Sequence, residues 1–155
     1  MAIAVETTKL TIGSTAFVSN GFIPEKYTCD GQNINPPIAI KNIPSGTKSL
    51  AVIVEDPDAP GGTFVHWIIW NLKPQETIFE ESSANGIEGK NSFGYKKYDG
   101  PCPPSGTHHY HFKVYALDTL LSLKAGASKS DLLNNMKDHI LGEGEIIGKY
   151  ERQKK

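Results

Sequence analysis

Five side chains in this sequence stand where they could do chemistry: Asp56, Asp58, His66, His108 and Tyr110. The acids follow the apolar stretch SLAVIVE (49–55) in the motif DPDAP, where Pro57 and Pro60 end a strand. Continuing the alternation of Leu50, Val52 and Val54 puts Asp56 and Asp58 on the same inward side. His66 lies inside FVHWIIWNL (64–72), where alternation gives it the face of Phe64, Ile68, Trp70 and Leu72. His108 and Tyr110 open HHYHFKVYAL (108–117), whose Tyr110, Phe112, Val114 and Ala116 share one face. If these three segments are neighbouring strands, two acids, two imidazoles and a phenol meet at one end of the core. Each is costly to bury without a polar partner.

Imidazole, phenol and backbone N–H groups are donors suited to an anion, and a carboxylate behind an imidazole fixes its tautomer and favours its charged form. The acids are therefore expected to hold His66 and His108 toward a phosphate or carboxylate. The loop DGPCPPSGT before His108 is fixed in φ at Pro101, Pro103 and Pro104 and permits close approach at Gly100 and Gly106, which suits a pocket wall. Each residue also has a plain structural role, since Asp before Pro shapes turns and a buried His can be satisfied within a core. The delivery of the same groups by separate strands favours a site. Zinc held by His66, His108 and one aspartate is a weaker reading, because the sequence has no HExxH helix or CxxC pair. Ser105, Thr107 and Cys102 are nucleophiles near His108, but no GxSxG elbow accompanies them.

The elements that must position these groups are mostly strands. The two segments flanking DPDAP are rich in β-branched and aromatic residues, and 64–72, apolar on both faces, reads as central. KLTIGS (9–14) and EIIGKYER (145–152) read as further strands, the latter weakened by Gly148. One helix is expected, capped by Ser128 or Ser130, with Leu132, Leu133, Met136 and Ile140 as its apolar stripe and Gly142 as its stop. The glycine-rich, polar span 76–106 reads as long functional loops. His109, His111 and Lys113 look like a solvated strand face, and Lys96, Lys97 and His139 like ordinary surface residues.

At 155 residues the chain fits a single domain, 1–155, with only a polar tail at 152–155 set apart by composition. A net charge of −1 supplies no field favouring nucleic acid or an anionic membrane, and no apolar run is long enough to span a bilayer. The default location is the cytoplasm. Cys29 and Cys102 are too few for a disulfide scaffold and are expected as free thiols, a bridge requiring the loops TCDGQN and GPCPPSG to meet.

The segments DPDAP (56–60), HW (66–67) and GPCPPSGTHHYHF (100–112) resemble the signature segments of the phosphatidylethanolamine-binding protein family, also called the Raf-kinase-inhibitor-like family. YTCDGQNINPP (27–37), GTKSLAVIVEDPDAP (46–60) and GEIIGKYER (144–152) extend the likeness over nearly the whole chain. The resemblance implies a mainly β fold, a sandwich with one main helix near the C-terminus and a small anion pocket at one end. It makes Asp56 and Asp58 the acidic pair, His66 and His108 the pocket histidines, Tyr110 the pocket tyrosine, and Gly100, Pro101 and Pro103 its wall. The short Pro60 to His66 loop is similar to the prokaryotic branch, in which dimers are known. Asn35 stands where the family usually has Ser, the IAI run (38–40) where an aromatic is often found, and His109 where Arg is common. The last removes a fixed positive charge. The resemblance implies no enzyme activity and no cofactor or metal. It implies binding of a small anion or phosphorylated headgroup, or regulation of a protease or kinase through an exposed loop.

Overall fold

A computed structural model describes residues 7–152; the first six residues and the last three of the expected polar tail lie outside the described residues. The chain builds β1 (Thr8–Lys9), β2 (Thr11–Gly13), β3 (Ile38–Lys41), β4 (Ser49–Asp56), β5 (Phe64–Leu72), β6 (Thr77–Phe79), β7 (Ile87–Glu88), β8 (His108–Leu117), α1 (Lys129–Met136) and β9 (Ile140–Tyr150). One sheet has the order β1-β9-β8-β4-β5-β7 and the other β2-β3-β6. KLTIGS is thus shared between sheets: Thr8 and Lys9 pair with β9, and beyond Leu10 the chain pairs with β3. Leu10, Ile12, Ile38, Ile40, Ile78 and Phe79 pack on Leu50, Val52, Val54, Phe112 and Val114 as one apolar cluster between the sheets. The expected β-sandwich is the observed fold.

All eight residues of β4 are buried, because each of its faces meets a core. Leu50, Val52 and Val54 point between the sheets, whereas Ala51 and Ile53 join Ile68, Trp70, Leu132 and Met136 under α1. β4 runs antiparallel to both β5 and β8, so its C-terminal end meets the start of each. The three segments carrying the candidate residues are therefore neighbours, as the site required.

β5 departs from simple alternation. Val54 pairs with Trp67 but Glu55 pairs with Val65, so His66 is an extra residue, a β-bulge. A second irregularity follows near Asn71, which adopts φ 56°. Consequently His66 does not share a face with Ile68 and Trp70 as strict alternation implies. Those two face α1, and His66 turns toward Phe64 and Tyr110 on the other side.

The helix is shorter than its apolar pattern suggests. Ser128 caps it in a full capping box with Asp131. Leu132 and Met136 are buried, while Leu133 is 41% exposed. Asp138, in the left-handed region at φ 69°, turns the chain into β9, so Ile140 and Gly142 are strand residues and not helix stripe and stop. Gly148 lies opposite Tyr110 in β9, where a Cβ would strike Ile23 and Phe17; it serves close packing and does not break the strand.

Candidate functional site

The end of β4 supplies Asp56, the start of β5 supplies Phe64 and His66, and the start of β8 supplies His108 and Tyr110. They surround a cavity of about 210 Å³ whose apolar wall includes Ala59, Pro60, Phe93, Pro103 and Pro104. The His66 and Tyr110 rings stand edge to face at 5.2 Å, and the His108 and Tyr110 rings stack at 6.4 Å. A larger groove of about 670 Å³ lies elsewhere, along Thr8, Lys113 and Glu143, and contains none of these groups.

Asp56 uses both oxygens. The Asp58 N–H donates to Oδ1 at 2.8 Å, closing the turn around Pro57, and His108 Nδ1 approaches Oδ2 at 2.6 Å. Turn shaping and imidazole orientation are therefore two jobs of one carboxylate. A carboxylate accepts, so His108 carries its proton on Nδ1 and leaves Nε2 as the ring's other polar atom.

His66 is oriented differently. Its Nδ1 donates to the Asp99 carbonyl oxygen at 2.7 Å, not to either member of the acidic pair. Burial lowers its pKa, opposed by that carbonyl bond and by the charges of Asp56 and Asp99. The neutral ring therefore presents a lone pair at Nε2, and becomes a donor there only once protonated.

Asp58 lies outside the cavity lining and binds His109 instead: its Oδ2 accepts from both the His109 N–H and Nδ1 at 2.8 Å. The His109 hydrogen bond is the main cause of its lowered pKa. Asp58 was expected to help hold a pocket imidazole; it braces the neighbouring one. His109 thus has the Asp58 carboxylate against both its backbone N–H and its ring Nδ1.

Tyr110 Oη is buried and completes no hydrogen bond among the described residues, the Cys102 backbone N–H lying toward it without reaching bonding geometry. Burial first, and then the Asp56 carboxylate, hold its pKa well above the ordinary tyrosine value, so it stays a donor. Gly100 and Pro101 do not line the cavity; they lie behind it. The Gly100 N–H donates to Asn33 Oδ1 at 2.8 Å, and a Cβ there would run into the Tyr27 carbonyl oxygen. Pro101 is buried, and its carbonyl accepts the Cys29 N–H at 3.1 Å. That meeting of loops brings Cys29 and Cys102 together as a disulfide, so the expectation of two free thiols is overturned.

The residues missed in the sequence belong to loop 91–99. Buried Asn91 accepts the N–H groups of Phe93 and Tyr95 at Oδ1 (3.0 and 3.1 Å) and donates through Nδ2 to the Lys97 carbonyl and Asp99 Oδ2 (2.9 and 2.8 Å). It thereby holds Asp99 behind His66, and Phe93 against Phe64 at 4.7 Å. An Asn followed two residues later by an aromatic and a Gly is the available signal, since Asn builds such turns.

Of the three nucleophiles near His108, two are engaged elsewhere and Ser105 is exposed. Cys102 is bonded to Cys29, and the Thr107 hydroxyl donates to Glu151 at 3.0 Å. Among the described residues no cluster of three or more His, Cys, Asp or Glu could hold a metal ion.

A family model for phosphatidylethanolamine-binding proteins matches residues 13–151. A UPF0098 protein of Pyrococcus horikoshii, a designation that states no activity, is 51% identical over 150 residues, covering 90% of this chain and 76% of the relative. The crystal structure of a phosphatidylethanolamine-binding protein homolog from Chlamydia trachomatis superposes with a TM-score of 0.90 at 38% identity, covering 95% of this chain and 100% of that one. Escherichia coli YbcL, described as a member of the mammalian family, gives 0.85 at 29% identity, covering 94% and 100%. Motifs, sandwich and relatives agree that this chain belongs to the phosphatidylethanolamine-binding protein family.

Proposed function

We propose that the chain binds a small phosphate-type anion, alone or as the phosphorylated end of a larger ligand, in the cavity between His66, His108 and Tyr110, without chemical turnover. The buried, unpartnered Tyr110 hydroxyl carries this reading. Leaving a buried hydroxyl unmatched costs about 1–3 kcal/mol, which an acceptor oxygen of a ligand would recover. The cavity's size suits one phosphoryl group and a few attached atoms. His108 adds a second polar atom, and His66 becomes a donor as it takes up a proton. The relatives' family name points to the same ligand class.

Calorimetric titration with phosphorylethanolamine, inorganic phosphate and sulfate at low salt, at pH 6 and pH 8, tests this. Sulfate stays a dianion across that range, so tighter sulfate binding at pH 6 reports the imidazoles. His66→Ala should abolish the heat while leaving the fold intact; unchanged affinity in that variant sinks the assignment.

A second reading, inhibition of a protease or kinase by a surface loop, draws support from loop 91–99. Phe93 and Tyr95 are 53% and 59% exposed on a turn that Asn91 holds rigid. A protease panel separates the two, because loop inhibition survives His66→Ala and pocket-dependent regulation does not.

A further inference from the structure

The disulfide joins a surface residue to the cavity. Cys102 is half-buried and lines the cavity, whereas Cys29, its partner across 73 residues of sequence, is exposed. The chain around Cys102 is lightly anchored, its own N–H lying toward Tyr110 Oη without completing a hydrogen bond. Gly100 and Pro101 are tied to Asn33 and Cys29 by hydrogen bonds, and Thr107 reaches Glu151. Among the described residues, 102–106 make no backbone–backbone hydrogen bond, and Pro103 and Pro104 have no N–H to give. Beyond the Cys29 N–H bond to the Pro101 carbonyl, the covalent bond is what ties the 102–106 side of the cavity to loop 28–31. Thiol exchange depends on access to the attacked sulfur, and Cys29 is the more exposed of the two partner residues.

We propose that Cys29–Cys102 is a thiol-exchange site, attacked at Cys29 by a small thiol or dithiol reductant, and that its cleavage weakens anion binding in the adjacent cavity. A thiolate attacks Cys29 Sγ, the S–S bond breaks, Cys29 becomes a mixed disulfide, and Cys102 leaves as a thiolate that takes up a proton. The reductant's second thiolate then displaces Cys29 as a thiol. The protein disulfide gains two electrons and the dithiol leaves as a disulfide. Once released, the Cys102–Pro104 wall must be ordered again whenever a ligand binds, which subtracts from affinity. A thiolate persisting at Cys102 would act in the same direction by repelling an anion.

The affinity part rests on the anion-pocket reading, and the experiment separates the two. Inorganic phosphate is titrated into the full chain, oxidised and then reduced with dithiothreitol, with circular dichroism recorded in both states. Affinity should fall about five- to tenfold on reduction and return on reoxidation. The Cys29→Ser, Cys102→Ser double variant should match the reduced chain without reductant. Limiting glutathione followed by alkylation should place glutathione on Cys29 and the alkyl group on Cys102. Equal affinities, glutathione on Cys102, reduction only in denaturant, or unfolding on reduction would each overturn the proposal. If the oxidised chain binds no phosphate, the pocket reading fails by itself. The exchange proposal is then decided by the His66 and His108 imidazole resonances of the ligand-free protein, which should move on reduction; resonances that stay in place overturn it.

Discussion

Asp56 Oδ2 lies 2.6 Å from His108 Nδ1, while Oδ1 of the same carboxylate accepts the Asp58 N–H. One buried side chain thus ends the central strand and sets the tautomer of a cavity imidazole. Asp56→Ala would leave two donors without acceptors, and a loss of about 2–4 kcal/mol is expected in urea denaturation. Asp56→Asn can keep the turn if its oxygen faces Asp58. Its amide would then donate toward His108 Nδ1 and drive the proton to Nε2, a change that nitrogen chemical shifts of the imidazole would register.

Tyr110→Phe should separate binding from stability. The variant removes a buried hydroxyl that has no partner among the described residues, so the ligand-free protein should be unchanged or up to about 1 kcal/mol more stable. Phosphate affinity should fall in the same variant. A marked loss of stability would mean that Oη is satisfied in the folded protein.

His66 should make the ligand-free fold sensitive to acid. Its folded pKa lies below the ordinary value near 6.5, chiefly because of burial, so the unfolded chain takes up the proton first as the pH falls. The His66 contribution is complete above about pH 6.5 and is lost as the pH drops toward the lowered folded value. His66→Gln should flatten this part of the pH dependence. Denaturation midpoints of both proteins at pH 7.5 and pH 5 check it, and parallel changes would contradict it.

Asn91 should matter as much as any group lining the cavity. Its amide serves Phe93, Tyr95, Lys97 and Asp99, and through Asp99 it supports His66. Asn91→Ala is expected to cost about 2–4 kcal/mol and to weaken phosphate binding without touching a ligand. Hydrogen exchange across 91–99 should rise in the variant.

Much of this was legible in the sequence because β-strands write their burial as apolar runs. β4, β5 and β8 fall on the stretches that composition marked, and parity brought Asp56, His108 and Tyr110 together. Parity misled where the backbone broke its period: at His66 no residue type announces the bulge, which depends on pairing with β4. The helix was overextended because Ile140 continues a helical spacing that Asp138 physically ends. Gly100 and Pro101 suit a wall by residue type, but the fold places them outside the cavity lining, with Gly100 against Tyr27 and Asn33. The Cys29–Cys102 pairing needed two distant loops to meet, a fact carried by the fold and not by spacing.

The extra residue at His66 makes the site depend on counting as well as chemistry. Deleting His66 itself would let β5 pair with β4 without interruption, Val65 staying opposite Glu55 and Trp67 opposite Val54, so the resulting strand could fold as well as the original. The cavity would lose the His66 imidazole while the strand kept its core contacts. Substitutions test the site's atoms one at a time, whereas a single-codon deletion here would separate folding from binding in one step. Length variation among relatives should therefore be tolerated in the turns around this strand and be selected against within it.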